Sequence, residues 1–332
     1  MKALILCPFD KTILKNLSLV MPVIHESWID TRKLYDPYEL AERIVLENIN
    51  ILIIEADFLF REFFESAPVM ELVGVCRSGL SHIDIEAATA NDVIIINTPG
   101  RNTRAVAEFV IGLILSLLRH IPKSDQYIQE GKWIDPIEPY HYLRGNEVNQ
   151  KTLGIVGLGK TGLVVAGLAQ SLGMSIVGSD PNVSTQIFQQ NNITPLTLED
   201  LLATSDVVSL HLSPTPSTKN LINCSNIHYM KPGSYLVNVS GSELVDQKAL
   251  LKGLKNHHIS GAAIDVHESH PIPKSNPLIG LDNVILTPHI AGSTFQTIQV
   301  QSSMIGDDIN RFTGGIMPQR IVNPEVWSKY EK

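Results

Sequence analysis

The chain has 332 residues, of which 44% are hydrophobic and 18% charged, so it is long enough for two soluble globular domains. Its net charge of −8 argues against binding nucleic acid through a basic surface. No apolar run approaches the roughly 18 residues of a membrane helix, and the first run is too short for a signal peptide. The three cysteines lack metal-ligand spacing, which is typical of free thiols in a reducing compartment. We therefore expect a cytoplasmic protein with no membrane or nucleic-acid partner.

The first hundred residues alternate between apolar runs and helical patterns, which predicts a parallel α/β sheet. This segment has no glycine pattern for binding phosphate. Strands are predicted at residues 2–7, Ile51–Ile54, Leu72–Val75 and Val93–Asn97, and helices at Tyr38–Leu46, Phe58–Ser66 and Asp84–Ala90. A long helix is then predicted over residues 103–120, with an apolar stripe wide enough to be buried on more than one side.

The segment from residue 151 to 180 has the order strand, glycine-rich turn, helix, strand and acid. Gly157, Gly159 and Gly162 follow the apolar run Leu153–Val156 at G-x-G-x-x-G spacing. The first glycine permits a tight turn, the second lets the backbone approach a pyrophosphate, and the third lets the helix pack on the strand. This order predicts a dinucleotide-binding unit.

The acid that ends this segment selects between cofactors. Asp180 can accept hydrogen bonds from ribose hydroxyls and repels the 2′-phosphate of NADP, so NAD is the predicted cofactor. Lys160 and Thr161 open the helix, whose N-terminus attracts phosphate.

Four further strands are predicted beyond residue 200, at Val207–Leu210, Ser234–Val239, Gly261–Val266 and Val284–Thr287. Ligands bind at the carboxyl ends of strands in such sheets. The polar residues at those ends are Asp180, His211, Ser240, Asp265 and His289. A last helix, over residues 294–312, is expected to be broken near Gly306.

Several motifs together resemble a known family over nearly the whole chain. They lie at residues 97–100, 105–108, 157–162, 180–181, 214–218, 238–246, 262–271 and 287–289. These motifs resemble the D-isomer-specific 2-hydroxyacid dehydrogenases, most closely the phosphoglycerate dehydrogenase-like branch.

The resemblance implies an α/β fold of two Rossmann-like or flavodoxin-like doubly wound parallel-sheet domains with a cleft between them. The substrate domain would comprise residues 1–101 and 291–332, and the NAD domain residues 102–290. The resemblance also implies a homodimer that forms through the NAD domains. The helix at 103–120 would suit the contact between the two subunits.

The implied reaction is reversible hydride transfer between NAD and a 2-oxo or 2-hydroxy acid. His289 stands at the family's acid–base position, and an imidazole with an ordinary pKa of about 6.5 suits that role. Asp265 matches the acid on the nicotinamide side of the cofactor, although such an acid can also serve as a turn cap. The implied cofactor residues, besides the glycine turn and Asp180, are His211, Thr218, Val239, Asp265 and His289.

Two positions depart from the family pattern. Gly241 stands where the family has a catalytic arginine, and His270 stands where it has a catalytic glutamate. The glycine removes a guanidinium that would bind a carboxylate and polarise a carbonyl. A charged His270 would disfavour the protonated form of His289 instead of stabilising it.

Other residues are candidates to replace the missing cation. Arg77, Ser78 and Gly79 lie in the loop that offers backbone N–H groups to the substrate carboxylate in this family. Arg101 and Arg104 lie just before the long helix, and a surface role is the better interpretation of Arg104. The family uses no metal, and no clear ligand set accompanies His267, His270 and His289.

Three hypotheses therefore stand. The first is an NAD-dependent oxidoreductase with a remodelled substrate site. The second is a catalytically impaired NAD-binding regulatory or partner protein, which the changes at 241 and 270 favour. The third is a lyase or isomerase that uses bound NAD, which no particular residue requires.

Overall fold

The computed structural model describes residues 1–331 and divides into two compact units. The first comprises Met1–Asn102 and the chain from Thr294 onward, and the second comprises Thr103–Ser293. The first crossing between the units lies one residue later than the predicted boundary at 101. The second crossing lies three residues later than the predicted boundary at 290. Both units contain a parallel sheet covered by helices, which confirms the predicted α/β fold class.

The first unit has a five-stranded parallel sheet in the order β2-β1-β3-β4-β5, the flavodoxin-like arrangement. Its strands are β1 Ala3–Ile5, β2 Val23–His25, β3 Ile51–Ile54, β4 Leu72–Val75 and β5 Ile94–Asn97. Its helices up to residue 102 are α1 Lys11–Ser18, α2 Trp28–Thr31, α3 Pro37–Leu46, α4 Arg61–Ser66 and α5 Ile85–Ala90. The predicted strand at 2–7 is shorter than expected, and β2, α1 and α2 were not predicted.

The second unit has a seven-stranded sheet. Its helices are α6 Thr103–Arg119, α7 Ile121–Gln129, α8 Glu138–Tyr142, α9 Lys160–Ser171, α10 Thr185–Gln190, α11 Leu198–Thr204 and α12 Gln247–Lys255. Its strands are β6 Thr152–Val156, β7 Ser175–Ser179, β8 Thr194–Pro195, β9 Val207–Leu210, β10 Ser234–Asn238, β11 Ile259–Ile264 and β12 Val284–Leu286. The order β12-β11-β10-β9-β6-β7-β8 reverses direction between β6 and β9, as in a Rossmann fold.

The long helix α6 packs mainly against α9 and contributes six buried residues to the core of the second unit, among them Val110, Leu113 and Leu117. Within residues 1–331, no individual helix has the length and apolar character to cross a membrane. The bent pair α6 and α7, at 62° to one another, reaches that threshold only when both are counted together. The predicted dimer contact through residues 103–120 stays a prediction.

The last helix, α13 Phe295–Thr313, returns to the first unit and is continuous, so the predicted break near Gly306 is wrong. A Cβ atom at Gly306 would lie 2.7 Å from Cγ2 of Ile13 in α1. The glycine is therefore explained by the close approach of α1, and a single glycine is tolerated inside a helix that tertiary contacts stabilise.

Candidate functional site

The glycine turn after β6 has the backbone geometry that its sequence predicts. Gly157 has a φ of 92°, and a Cβ atom there would lie 2.6 Å from the carbonyl oxygen of His211. A Cβ atom on Gly162 would lie 2.2 Å from the carbonyl oxygen of Gly157. Both positions therefore exclude any side chain, and the helix packs directly on the turn.

Gly159 differs from these two because a Cβ atom there would meet no other atom within 4 Å. It is the N-cap of α9, which begins at Lys160, and no side chain caps that end. The first N–H groups of a helix lack partners within the helix and carry partial positive charge. Open space beside such an end fits a pyrophosphate, so the residues present suit a dinucleotide.

Asp180 follows β7 and lies against this turn. Its Oδ2 accepts a hydrogen bond from the backbone N–H of Leu158 at 2.8 Å, and its Oδ1 accepts one from Asn182 at 2.9 Å. An ionised carboxylate has about four acceptor positions. The side chain is therefore fixed beside the glycine turn while it keeps capacity for ribose hydroxyls.

His211 follows β9 at the point where the sheet order reverses. Its backbone N–H donates to Val156 at 2.7 Å, and its Nε2 lies 2.8 Å from Oγ of Ser209. Burial lowers its pKa to about 4, so the ring is neutral at pH 7. Part of the residue reaches the surface, but Nδ1 is buried and has no hydrogen-bond partner among residues 1–331.

Thr218 and Val239 lie in the segments that follow β9 and β10. Oγ1 of Thr218 accepts from the N–H of Thr215 at 2.7 Å and donates to the carbonyl of Ser213 at 3.1 Å, which closes the loop after β9. Val239 is largely buried just after β10. Their predicted contacts with the cofactor stay predictions.

The acid–base candidate His289 is paired with His270. Nδ1 of His289 lies 3.0 Å from Nε2 of His270, and both residues are exposed. The ring centroids are 5.1 Å apart. Such a hydrogen bond needs one N–H and one lone pair, so at least one of the two rings is neutral. The two positions identified in the sequence therefore form a single dyad.

The backbone of His289 is held in a strained conformation by the buried carboxylate of Asp265. His289 has a φ of 56°, in the left-handed region that few residues other than glycine adopt. Asp265 accepts hydrogen bonds from Oγ1 of Thr287 at 2.6 Å and from the N–H groups of Ile290 and Ala291 at 2.9 Å. These bonds lie on both sides of His289 and can maintain its conformation.

By holding this loop, Asp265 acts as a turn cap, which is the alternative role that the sequence analysis gave for it. A contact between Asp265 and the nicotinamide stays a prediction. His267 supports the same loop, because its Nε2 lies 2.9 Å from the carbonyl oxygen of Thr287.

Gly241 has no space for a side chain. A Cβ atom there would lie 2.2 Å from Cγ of Pro214 and 3.3 Å from Oε2 of Glu243. The backbone is held by Asn238, whose Nδ2 donates to the carbonyl of Gly241 at 2.8 Å. The position where the resemblance expects arginine is thus occupied in part by the ring of Pro214.

The candidate replacement arginines differ in what they already bind. Arg101 donates to Oε1 of Glu55 at 2.7 Å and also to Oε1 of Gln301, and the ion pair is largely buried. Arg104 is exposed and pairs with Glu108 one helical turn away at 2.5 Å. The Arg77 side chain is exposed and forms no hydrogen bond or ion pair with the rest of residues 1–331.

The loop that carries Arg77 is braced from the next strand. Oγ of Ser78 accepts from the N–H of Gly100 at 3.1 Å, and Nδ2 of Asn97 donates to the carbonyl of Ser78 at 3.0 Å. A Cβ atom on Gly79 would meet nothing within 4 Å, so the loop is open on that side. Among the predicted substrate residues, Arg77 has the guanidinium available for an anion.

Residues 111–291, more than half of the chain, match the family model for the NAD-binding domain of D-isomer specific 2-hydroxyacid dehydrogenases. The chain belongs to this family. A glyoxylate reductase from Thermofilum pendens is 37% identical over 310 residues, which cover 92% of this chain and 88% of the relative. A D-3-phosphoglycerate dehydrogenase from Methanocaldococcus jannaschii is 32% identical over 92% of this chain but only 59% of its own length.

A solved structure, the TT0316 protein from Thermus thermophilus, has a TM-score of 0.85 at 29% identity and covers 97% of this chain and 100% of its own. The comparisons confirm the predicted family, the NAD cofactor and the enzyme class. The protein is an NAD-dependent oxidoreductase of the D-2-hydroxyacid dehydrogenase type.

Three features of the site in this dehydrogenase were not predicted: the contact of Pro214 with Gly241, the pairing of Arg101 with Glu55, and the bonds from Asp265 around His289. Within residues 1–331, no three His, Cys, Asp or Glu side chains are placed to hold a metal.

Proposed function

We propose that this dehydrogenase reduces 2-oxo acids to D-2-hydroxy acids, and catalyses the reverse reaction, with a His289–His270 dyad as its proton-transfer group. The observation that carries the proposal is the 3.0 Å contact between Nδ1 of His289 and Nε2 of His270. It replaces the histidine–carboxylate pair that the resemblance implies.

The glycine turn and the N-terminus of α9 would hold the pyrophosphate, and Asp180 the adenine-side ribose. NAD supplies the chemistry of accepting or donating a hydride when it is bound.

His289 would give its proton to the substrate oxygen during reduction. When His289 is protonated, its Nδ1–H donates to a neutral His270, and this charge-assisted bond stabilises the charged ring. After His289 loses the proton from Nε2, the Nδ1–H bond to His270 is unchanged. His270 therefore fixes the tautomer and the orientation of His289 through the whole step. Unlike a carboxylate, it adds no negative charge.

Arg77 would bind the substrate carboxylate in place of the arginine that Gly241 lacks. A guanidinium matches a carboxylate with two parallel hydrogen bonds, which orient the substrate as well as bind it. The exposure of Arg77, and the existing partners of Arg101 and Arg104, support this choice.

A catalytically impaired NAD-binding protein is the second candidate. The contact of Pro214 with Gly241 favours it, because it leaves no space at position 241 for the arginine that the resemblance expects. Under this hypothesis NADH binds but no 2-oxo acid is reduced.

One experiment separates the two. NADH oxidation is followed by absorbance with a panel of 2-oxo acids that runs from glyoxylate to phenylpyruvate, while NADH binding is measured by its fluorescence. The proposed activity predicts turnover that His289→Asn abolishes without loss of NADH binding. Normal NADH binding with no turnover for every acid would establish the impaired protein instead.

A further inference from the structure

The two histidines of the dyad lie on neighbouring loops of the second unit. The His270 loop, residues 265–271, follows β11, and the His289 loop, residues 287–291, follows β12, which pairs with β11 in parallel. His289 lies near the start of its loop, whereas His270 is exposed and lies near the far end of the other. Their contact of 3.0 Å therefore depends on how the His270 loop is held against the His289 loop.

The carbonyl oxygen of Thr287 joins the two loops. It accepts a hydrogen bond from the backbone N–H of His289 at 3.0 Å, and it lies 2.9 Å from Nε2 of His267. A carbonyl oxygen accepts and cannot donate, so Nε2 of His267 carries a proton, and both lone pairs of the oxygen are used. His267 is thus bound to the same turn that includes the backbone of His289.

The bond of His267 is the last anchor of the His270 loop before His270 itself. Within the described residues 1–331, two hydrogen bonds of residues 266–271 reach another segment, namely the bond of His267 to Thr287 and the contact within the dyad. The ring centroids of His267 and His270 are 6.3 Å apart, so the anchor lies beside the ring of His270. Ordering a loop costs conformational entropy, which a single hydrogen bond of ordinary strength does not offset. The bond of His267 therefore supplies support that the dyad contact lacks by itself.

We propose that His267 is a positioning residue of the dyad. Its bond to Thr287 holds the ring of His270 where that ring accepts the Nδ1–H of His289. This inference rests on the proposed function, in which the dyad is the proton-transfer group. His267 acts through His270, so its effect on kcat should not exceed that of His270 and should vanish when His270 is replaced.

The test measures kcat and KM for a 2-oxo acid in three variants of His267. His267→Phe keeps an aromatic ring without an N–H, and His267→Leu lacks both. We expect each to lower kcat about 5- to 10-fold, as the loss of one neutral hydrogen bond does, and to leave KM and NADH affinity unchanged. His267→Gln should restore kcat to within about 2-fold of the wild type, because its amide nitrogen donates and lies as many bonds from the backbone as Nε2 of histidine.

Two controls separate positioning from a general loss of structure. His25→Phe removes an equivalent bond in the first unit, where Nε2 of His25 lies 3.0 Å from the carbonyl oxygen of Cys7, and it should leave kcat unchanged. In the His270→Phe background, His267→Phe should cause no further fall in kcat. Melting temperatures establish that each variant is folded.

The ring nitrogens of His289 give a second readout that needs no turnover. In protein labelled with 15N at histidine, the ring resonances show which nitrogen carries the proton, and the spectra of His289→Asn and His270→Phe assign them. At a pH where the ring of His289 is neutral, we expect the proton on Nδ1, because the bond to His270 selects that tautomer. This preference should be lost in His267→Phe and kept in His25→Phe.

The outcomes distinguish this inference from the proposed function. If the wild type turns over a 2-oxo acid, an undiminished kcat in His267→Phe overturns the positioning role alone. So does a failure of His267→Gln to restore kcat, or an equal fall in kcat with and without His270. If no acid is turned over, the proposed function fails and the resonances decide. Loss of the Nδ1 preference in His267→Phe would still support the positioning role, and an unchanged preference would overturn it.

Discussion

A side chain at Gly241 would begin 2.2 Å from Cγ of Pro214. Real Cβ atoms do not approach other heavy atoms so closely, so a side chain at 241 would force the ring of Pro214 to shift. The glycine at 241 and the loop at 213–218 are therefore one coupled feature. Restoring an arginine at 241 requires a change in both.

We predict that Gly241→Ala lowers the free energy of unfolding by about 1–3 kcal/mol, as overpacking does in other proteins. Pro214→Ala should relieve most of this loss, because it removes the clashing ring. Chemical denaturation of the two single variants and the double variant measures the coupling. Gly112→Ala is the control, since a Cβ atom there meets nothing within 4 Å. Simple addition of the two losses would show that the residues do not interact.

Arg77→Gln should lower kcat/KM for a 2-oxo acid by about 10- to 100-fold and leave NADH binding intact. The loss corresponds to one or two hydrogen bonds between a guanidinium and a carboxylate. Arg104→Gln is the matched control and should change neither quantity, because its ion pair with Glu108 is exposed.

Arg101→Gln should act on stability rather than on substrate binding, because it leaves Glu55 unpaired in a largely buried place. Denaturation and steady-state kinetics are compared for the three arginine variants. A loss of substrate affinity in Arg101→Gln equal to that in Arg77→Gln would contradict the assignment of the anion site to Arg77.

Asp265→Asn should reduce kcat and the free energy of unfolding together. The amide can accept at one atom only, so a buried donor would face the N–H of Ala291 or Ile290, at a cost of about 1–3 kcal/mol. Asp246→Asn is the control, since Asp246 caps α12 and asparagine caps equally well. Hydrogen exchange should accelerate at residues 287–291 in Asp265→Asn alone. Unchanged exchange there would rule out the loop-holding role.

His211 predicts a dependence of stability on acid pH. Burial lowers its pKa to about 4, whereas an unfolded chain has a value of about 6.5. Between these values the unfolded chain binds more protons, so the free energy of unfolding falls as the pH falls from 6.5 to 4. The effect is about 3 kcal/mol. Denaturation at several pH values should show that, between pH 6.5 and 4, the free energy of unfolding of the wild type falls by this amount more than that of His211→Asn. If the free energy of unfolding falls equally with pH in both proteins, the neutral ring is not buried as described.

Most of the fold could be predicted because parallel strands covered on both faces appear as apolar runs, as at Ile51–Ile54 and Leu72–Val75. Two edge strands, β2 and β8, do not follow this rule and were not predicted. Val23–His25 is short and partly exposed, and Thr194–Pro195 has two residues and ends in proline. Neither has the continuous apolar character of a central strand.

The cofactor turn could be predicted because its function depends on local backbone geometry at Gly157 and Gly162. The rest of the site depends on contacts between distant segments. Pro214 reaches Gly241, Arg101 reaches Glu55, and Asp265 holds the backbone beyond Thr287. A spacing pattern carries no information about such contacts, so the sequence indicated which residues matter but not which partners they have.

The most direct test of the His289–His270 dyad is a double-mutant cycle on kcat for 2-oxo acid reduction, with His289→Asn, His270→Phe and the double variant. We expect His289→Asn to lower kcat by about 10²- to 10⁴-fold, and His270→Phe to lower it less. His270→Phe should have no further effect once His289 is asparagine, because His270 acts only through His289. NADH affinity should stay constant throughout. Equal effects of His270→Phe in both backgrounds, or a wild-type rate indistinguishable from His289→Asn, would contradict the dyad.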